Sequence, residues 1–86
     1  MKSLLKNYIE KLTLDEIREF GQKNGINISN TEYQFILDLV QGNFEDMLQN
    51  EDKYLNILEQ KINPQEFKKI KNLFLEYKKK YKGYLF

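Results

Sequence analysis

The chain contains no cysteine and no histidine. The first absence excludes disulfides and thiolate metal sites, and the two together remove the commonest metal ligand, general base and covalent nucleophile. The four glycines are widely separated, so no phosphate-cradling loop is present. No Gly/Ser-rich linker, low-complexity tract or strand pattern interrupts the sequence. Acids that alternate around a central glycine, as a calcium loop requires, are missing too. At the start, MKSLLKNYIEKL has its apolar run broken by Lys6, Asn7 and Glu10, which fits neither a signal peptide nor a membrane span and leaves the cytoplasm as the expected location.

What is present describes a small helical domain. Its 86 residues, 41% hydrophobic and including six Tyr and six Phe, can remove roughly 60% of the unfolded chain's surface from water, enough for one core but not two. The expectation is a single domain over 1–86 that folds without a cofactor. Helix starts are strongly marked. Leu12-Thr13-x-x-Glu16-Ile17, Ile28-Ser29-x-x-Glu32-Tyr33 and Ile62-Asn63-x-x-Glu66-Phe67 repeat one pattern: a capping residue, a carboxylate three residues on, and a flanking apolar staple. Pro64 adds a residue suited to the first helical position.

In chain order, Ser3 to Lys11 reads as a short helix with Leu4, Leu5, Tyr8, Ile9 and then Leu12 on one face. The second helix follows Thr13, turns Leu14, Ile17, Phe20 and Gly21 inward, and ends at Gly25 as a left-handed cap; Gly21 reads either as close approach of another helix or as a merely tolerated glycine. The third, Asn30 to Gln41, has an apolar face of Tyr33, Ile36, Leu37 and Val40 widened by Phe35 and Leu39, so cover on more than one side is expected, with Gly42 as its cap. Asn43 to Gln49 reads as a turn or two of helix inserting Phe44, Met47 and Leu48. Asn50 caps the next helix, and only Ile62 and Asn63 link it to the last one, which implies an antiparallel or sharply bent pair. The fold class is all-α: a compact bundle of about five short helices with a longer C-terminal helix.

That last helix carries the strongest bias. Phe67, Ile70, Phe74, Tyr77 and Tyr81 recur at three- and four-residue steps, with Leu73 beside them. Residues 67–86 hold seven lysines against Glu76 alone, whereas residues 32–59 hold seven acids against Lys53 alone. The helix from Pro64 to Lys82 is about 19 residues, roughly 28 Å, against about 11 residues, roughly 16 Å, for Glu51 to Lys61. It must overhang its partner. Tyr77, Tyr81, Tyr84, Leu85 and Phe86 lie on or beyond the overhang and need cover from the first helix, a second copy or another protein.

The matching features T-L-D-E-I at Thr13 to Ile17, K-N-G-I at Lys23 to Ile26, the Ser29 cap, Gly42, the polar start Asn50 to Lys53, N-P-Q-E at Asn63 to Glu66 and N-L-F at Asn72 to Phe74 resemble a family of small proteins of Gram-positive bacteria, the YqfT-like domain of unknown function. The resemblance runs almost end to end. It implies an all-helical fold and a bacterial cytoplasmic protein, and it implies no activity and no site residues. The lysine-rich ending after Tyr77 is longer than the family pattern, and Lys53 stands where arginine is expected.

Function is weighed on the same residues. Glu45, Asp46, Glu51 and Asp52 sit near helix N-termini, where the macrodipole favours carboxylates without any catalytic role. No enzymatic activity, cofactor or small-molecule substrate is expected. A helix-turn-helix over Asp15 to Gln41 is disfavoured because its reading helix has no Arg or Lys. The first expectation is a protein–protein interaction module, or a homo-oligomer, using the C-terminal helix through Tyr77, Tyr81, Tyr84, Leu85 and Phe86. The alternative is nonspecific binding of RNA or another polyanion by Lys78, Lys79, Lys80 and Lys82. Against it, lysines at 100° per residue surround the helix instead of forming one patch.

Overall fold

Five helices follow in order in the computed structural model, which describes residues 2–80 and, of the side chains, those from residue 6 onward: α1 (Lys2–Glu10), α2 (Leu14–Lys23), α3 (Asn30–Gln49), α4 (Glu51–Lys61) and α5 (Pro64–Lys80). No strand occurs among the described residues, and the fold is an all-α bundle. Leu4, Leu5, Tyr81, Lys82, Tyr84, Leu85 and Phe86, assigned roles from the sequence, lie outside the described side chains.

Two of the three repeated starts close as full capping boxes. Glu16 N–H donates to Thr13 Oγ1 at 3.2 Å while Thr13 N–H donates to Glu16 Oε1 at 3.0 Å, and Ser29 with Glu32 repeats the exchange at 3.1 and 2.9 Å. Such caps contribute about 1 kcal/mol each. The third start departs from expectation. Asn63 does cap α5, accepting from Gln65 N–H at 2.9 Å, but Glu66 does not reach back to it. Instead the other oxygen of Glu32 accepts Asn63 N–H at 3.3 Å, so one carboxylate serves two helix starts. Glu66, released from that task, is buried, accepts Asn27 N–H and pairs with Lys69 at 3.0 Å.

α3 also departs from expectation. It does not stop at Gly42 but continues to Gln49, bending at Asn43, whose φ of −139° and ψ of 21° leave the helical region. Asn43 Nδ2 donates to Leu39 O at 2.9 Å and keeps a carbonyl beside the bend satisfied. Gly42 therefore makes no left-handed cap, a conformation that Gly25 alone adopts among the described residues, with φ 76°. Beyond the bend, Met47 and Leu48 are buried and Phe44 half-buried, as their pattern implied. Asn50 precedes α4 but makes no side-chain cap; it turns back to donate to Asp46 Oδ1 at 2.7 Å.

Packing is organised around α3, which contacts α1, α2 and α4, while α4 contacts α5. The approach of α2 to α3 is set by Gly21. A Cβ there would lie 2.4 Å from Tyr33 Oη, so only glycine admits the ring, whose hydroxyl donates to Ile26 O at 2.7 Å. Burial pushes the Tyr33 phenol above its ordinary pKa, with the Glu66 carboxylate adding to the effect. Between α3, α4 and α5, Leu55, Leu58, Ile62 and Phe67 form the buried centre, and Phe35, Leu39 and Phe74 are among the side chains packed around it. The two-residue link at Ile62 and Asn63 yields an antiparallel pair: Lys78, near the end of α5, bonds Glu51, the first residue of α4, at 2.8 Å.

Candidate functional site

α5 is six residues longer than α4, and its far end does not lie over α4 alone. Phe74, Tyr77 and Lys78 form one wall of a cleft of about 490 Å³. Facing them are Tyr8 and Ile9 of α1, Leu12 of the first link, and Glu16, Ile17 and Phe20 of α2, with Phe44 and Leu48 of α3 also lining the space. The bend at Asn43 precedes both α3 residues and sets the direction of the segment that carries them. The lining is aliphatic and aromatic except for Glu16 and Lys78.

Each wall has a local reason for its position. α1 is tied to α3 by Gln41, whose side-chain amide lies 3.0 Å from Ile9 O and 2.9 Å from Leu12 O and so bonds carbonyls at the end of that helix. Lys6 adds a loose ion pair to Glu45 at 3.8 Å. α2 begins at its capping box, which ties down Glu16 at the rim. Across the cleft, Phe20 and Tyr77 meet edge to face with ring centroids 5.8 Å apart, while Lys80 Nζ stands 5.8 Å from the Tyr77 ring. Tyr77 is half-buried, and Phe20 of α2 supplies part of its cover.

Exposure marks the cleft as incompletely closed. Three large apolar side chains stand out as exposed among the described residues, and two of them, Tyr8 at 61% and Phe20 at 43%, line it. Its volume lies in the range of small-molecule-sized clefts, about 300–1,000 Å³. A second space of about 150 Å³, between α3, α4 and α5 near Met47 and Leu73, falls below that range and belongs to the core.

The residues singled out from the sequence fare unequally. Tyr77 lies in the cleft. Lys78, Lys79 and Lys80 are placed differently: Lys78 is bound to Glu51, Lys80 lies by Tyr77, and Lys79 is exposed. Tyr8, Phe20, Phe44 and Leu48 were legible only as inward-facing apolar positions. The signal that bears on the cleft is the brevity of α1 and α2, 9 and 10 residues, against the 17 of the helix they face.

Charged groups elsewhere act as stitches between elements. Backbone N–H donation from Ser29, helped by its hydroxyl and by Asn63, holds Glu32 below the ordinary carboxylate pKa. Donation by Tyr54 and Asn50 does the same for Asp46, and by Asn27 and Lys69 for Glu66. Among the described residues no three His, Cys, Asp or Glu side chains converge to hold a metal, and no helix is long and apolar enough to cross a membrane. The chain matches no family model, no curated protein and no solved structure.

Proposed function

We infer that this chain is a non-enzymatic protein–protein interaction module whose docking surface is the apolar cleft between α1, α2 and the end of α5. The observation that carries the reading is the exposure of Tyr8 and Phe20 at the mouth of a cleft whose other lining, Glu16 and Lys78 apart, is buried and half-buried apolar side chains. Aromatic side chains of this kind serve as anchors at interfaces, since each can bury a large area with little loss of side-chain entropy. The natural occupant is the apolar ridge of a partner's amphipathic helix, with side chains at helical spacing entering between Phe20 and Tyr8. This reading keeps the sequence-based expectation of a module that uses its C-terminal helix, and with it kinship to the YqfT-like proteins, but shares the surface with α1 and α2.

A photo-crosslinking amino acid at Tyr8, compared with one at exposed Asn56 on α4, tests it in cells. Discrete adducts at position 8 that are absent at 56 and lost in Phe20→Asp are expected. Identical patterns at both positions overturn the reading. Sedimentation of the pure protein over a range of concentrations separates a second copy from a foreign partner.

A further inference from the structure

We propose that the outward face of α5 is a second docking surface, separate from the cleft, and that it takes an acidic amphipathic helix of a partner protein. The inference begins with subtraction. Of the α5 lysines, Lys69 is committed to Glu66 and to Gly25 O, each at 3.0 Å, and Lys78 to Glu51 at 2.8 Å. Lys80 stands by the Tyr77 ring. Lys68, Lys71 and Lys79 remain, all exposed, and among the described residues no acid lies within ion-pair distance of any of them. At 100° per residue these three fall within an arc of about 80° and span about 16 Å along the helix. The internal ion pairs thus turn a helix surrounded by lysine into one with a single uncommitted basic stripe.

Leu75 lies inside that arc. It is 39% exposed and is the one of the three exposed large apolar residues that does not line the cleft. A stripe of cations around one exposed leucine is complementary to a helix that carries carboxylates three or four residues apart around an apolar side chain. The same arc argues against RNA. It contains no aromatic ring on which a base could stack, because Phe67, Phe74 and Tyr77 are turned inward, and no arginine to grip a phosphate with two bonds. Glu76, exposed about 60° beyond Lys79 around the helix, limits the surface on that side.

The probe is a fluorescein-labelled synthetic alanine-based helix with glutamates along one stripe and a leucine at its centre. It is compared with the same peptide carrying glutamine for glutamate and with a single-stranded poly(U) oligonucleotide. At about 50 mM salt the acidic peptide is expected to bind in preference to both, weakening roughly tenfold by about 300 mM. The triple variant Lys68→Gln, Lys71→Gln, Lys79→Gln should cost roughly tenfold in affinity, its arginine counterpart should retain binding, and Leu75→Gln should cost about threefold. All four side chains are exposed, so the variants keep the fold, which circular dichroism verifies. Failure of the acidic peptide to bind, binding indifferent to the triple variant, or tighter binding of poly(U) each overturns the proposal.

Discussion

The junction of α3, α4 and α5 and the cleft under α1 and α2 are made of the same residue types, yet one is closed and the other open. At the junction, Leu55, Leu58, Ile62 and Phe67 are each at most 8% exposed, and carboxylates from distant positions lock the surrounding backbone: Glu32 to Asn63, Glu66 to Asn27. Across the cleft, aromatic rings meet edge to face and leave Tyr8 and Phe20 in contact with water. The difference traces to length. α3 is long enough to cover both regions, whereas among the described side chains α1 and α2 together present five residues and their connecting leucine to the space facing α5. Apolar content alone does not close a core; enough backbone must pass over it.

The largest effect expected from this contrast is at Leu58, 4% exposed at the centre of the junction. Leu58→Ala should lose about 3 kcal/mol in urea denaturation through lost burial and the space left behind. Phe20→Ala, although it removes a larger side chain, should lose under about 1.5 kcal/mol, the scale of an exposed aromatic pair. Reversal of that order would abolish the distinction between the two regions.

Next in size is Gly21→Ala, at about 2 kcal/mol. The added methyl group would meet the Tyr33 ring, which cannot swing aside without giving up its bond to Ile26 O. A neutral result would mean that α2 slides freely on α3, and the placement of Phe20 over the cleft would lose its support.

How much of this was legible follows from the range of each interaction. Thr13 with Glu16 and Ser29 with Glu32 are bonds between residues three apart, so sequence spacing determines them. The same spacing at Asn63 and Glu66 misleads, because a backbone N–H from Asn27, distant in sequence, claims the carboxylate and only the assembled fold brings it there. Gly42 looked like a stop since a glycine after an apolar run usually adopts the left-handed cap; a bond from the Asn43 side chain to Leu39 O lets the helix bend and continue instead. Periodicity put Tyr8 on the apolar face of its helix and Ile17 and Phe20 on an inward side, yet Ile17 is half-buried and Tyr8 and Phe20 are exposed. It carries no information on whether the opposing helices meet, which is why the cleft itself could not be read.

Acid should strike the closed region first. Glu32, Asp46 and Glu66 all have folded pKa values below the ordinary ones, so each contributes stability that is fully present above about pH 4.5, the upper end of the unfolded carboxylate range, and is lost as pH falls through the depressed values. The melting temperature should hold steady from neutrality to about pH 5 and then drop, and Glu66→Gln should make that drop shallower. A melting temperature unchanged down to about pH 3 would show that these carboxylates do not join the elements they bridge.

A smaller effect of opposite sign is expected at Gly42. It lies in a helix, lacks a positive φ, and has open space where a Cβ would go, so Gly42→Ala should stabilise by about 0.5–1 kcal/mol by restricting the unfolded chain. Destabilisation there would mean that the bend at Asn43 needs glycine beside it, and the segment bearing Phe44 and Leu48 would then be positioned by the pair instead of by Asn43 alone.

The smallest effect on stability is the most informative about the cleft. Tyr8→Ser removes an aromatic ring that is 61% exposed, has no tertiary hydrogen bond among the described residues, and sits on the helix whose end Gln41 bonds. Its unfolding free energy should stay within about 0.5 kcal/mol of the parent. A loss above about 1.5 kcal/mol, the scale of a buried side chain, would show that α1 closes over Tyr77 in solution, leaving no open wall for a partner. The expected outcome separates the two requirements: a ring that folding does not need stands at the mouth of an apolar cleft, open to contact with something outside the chain.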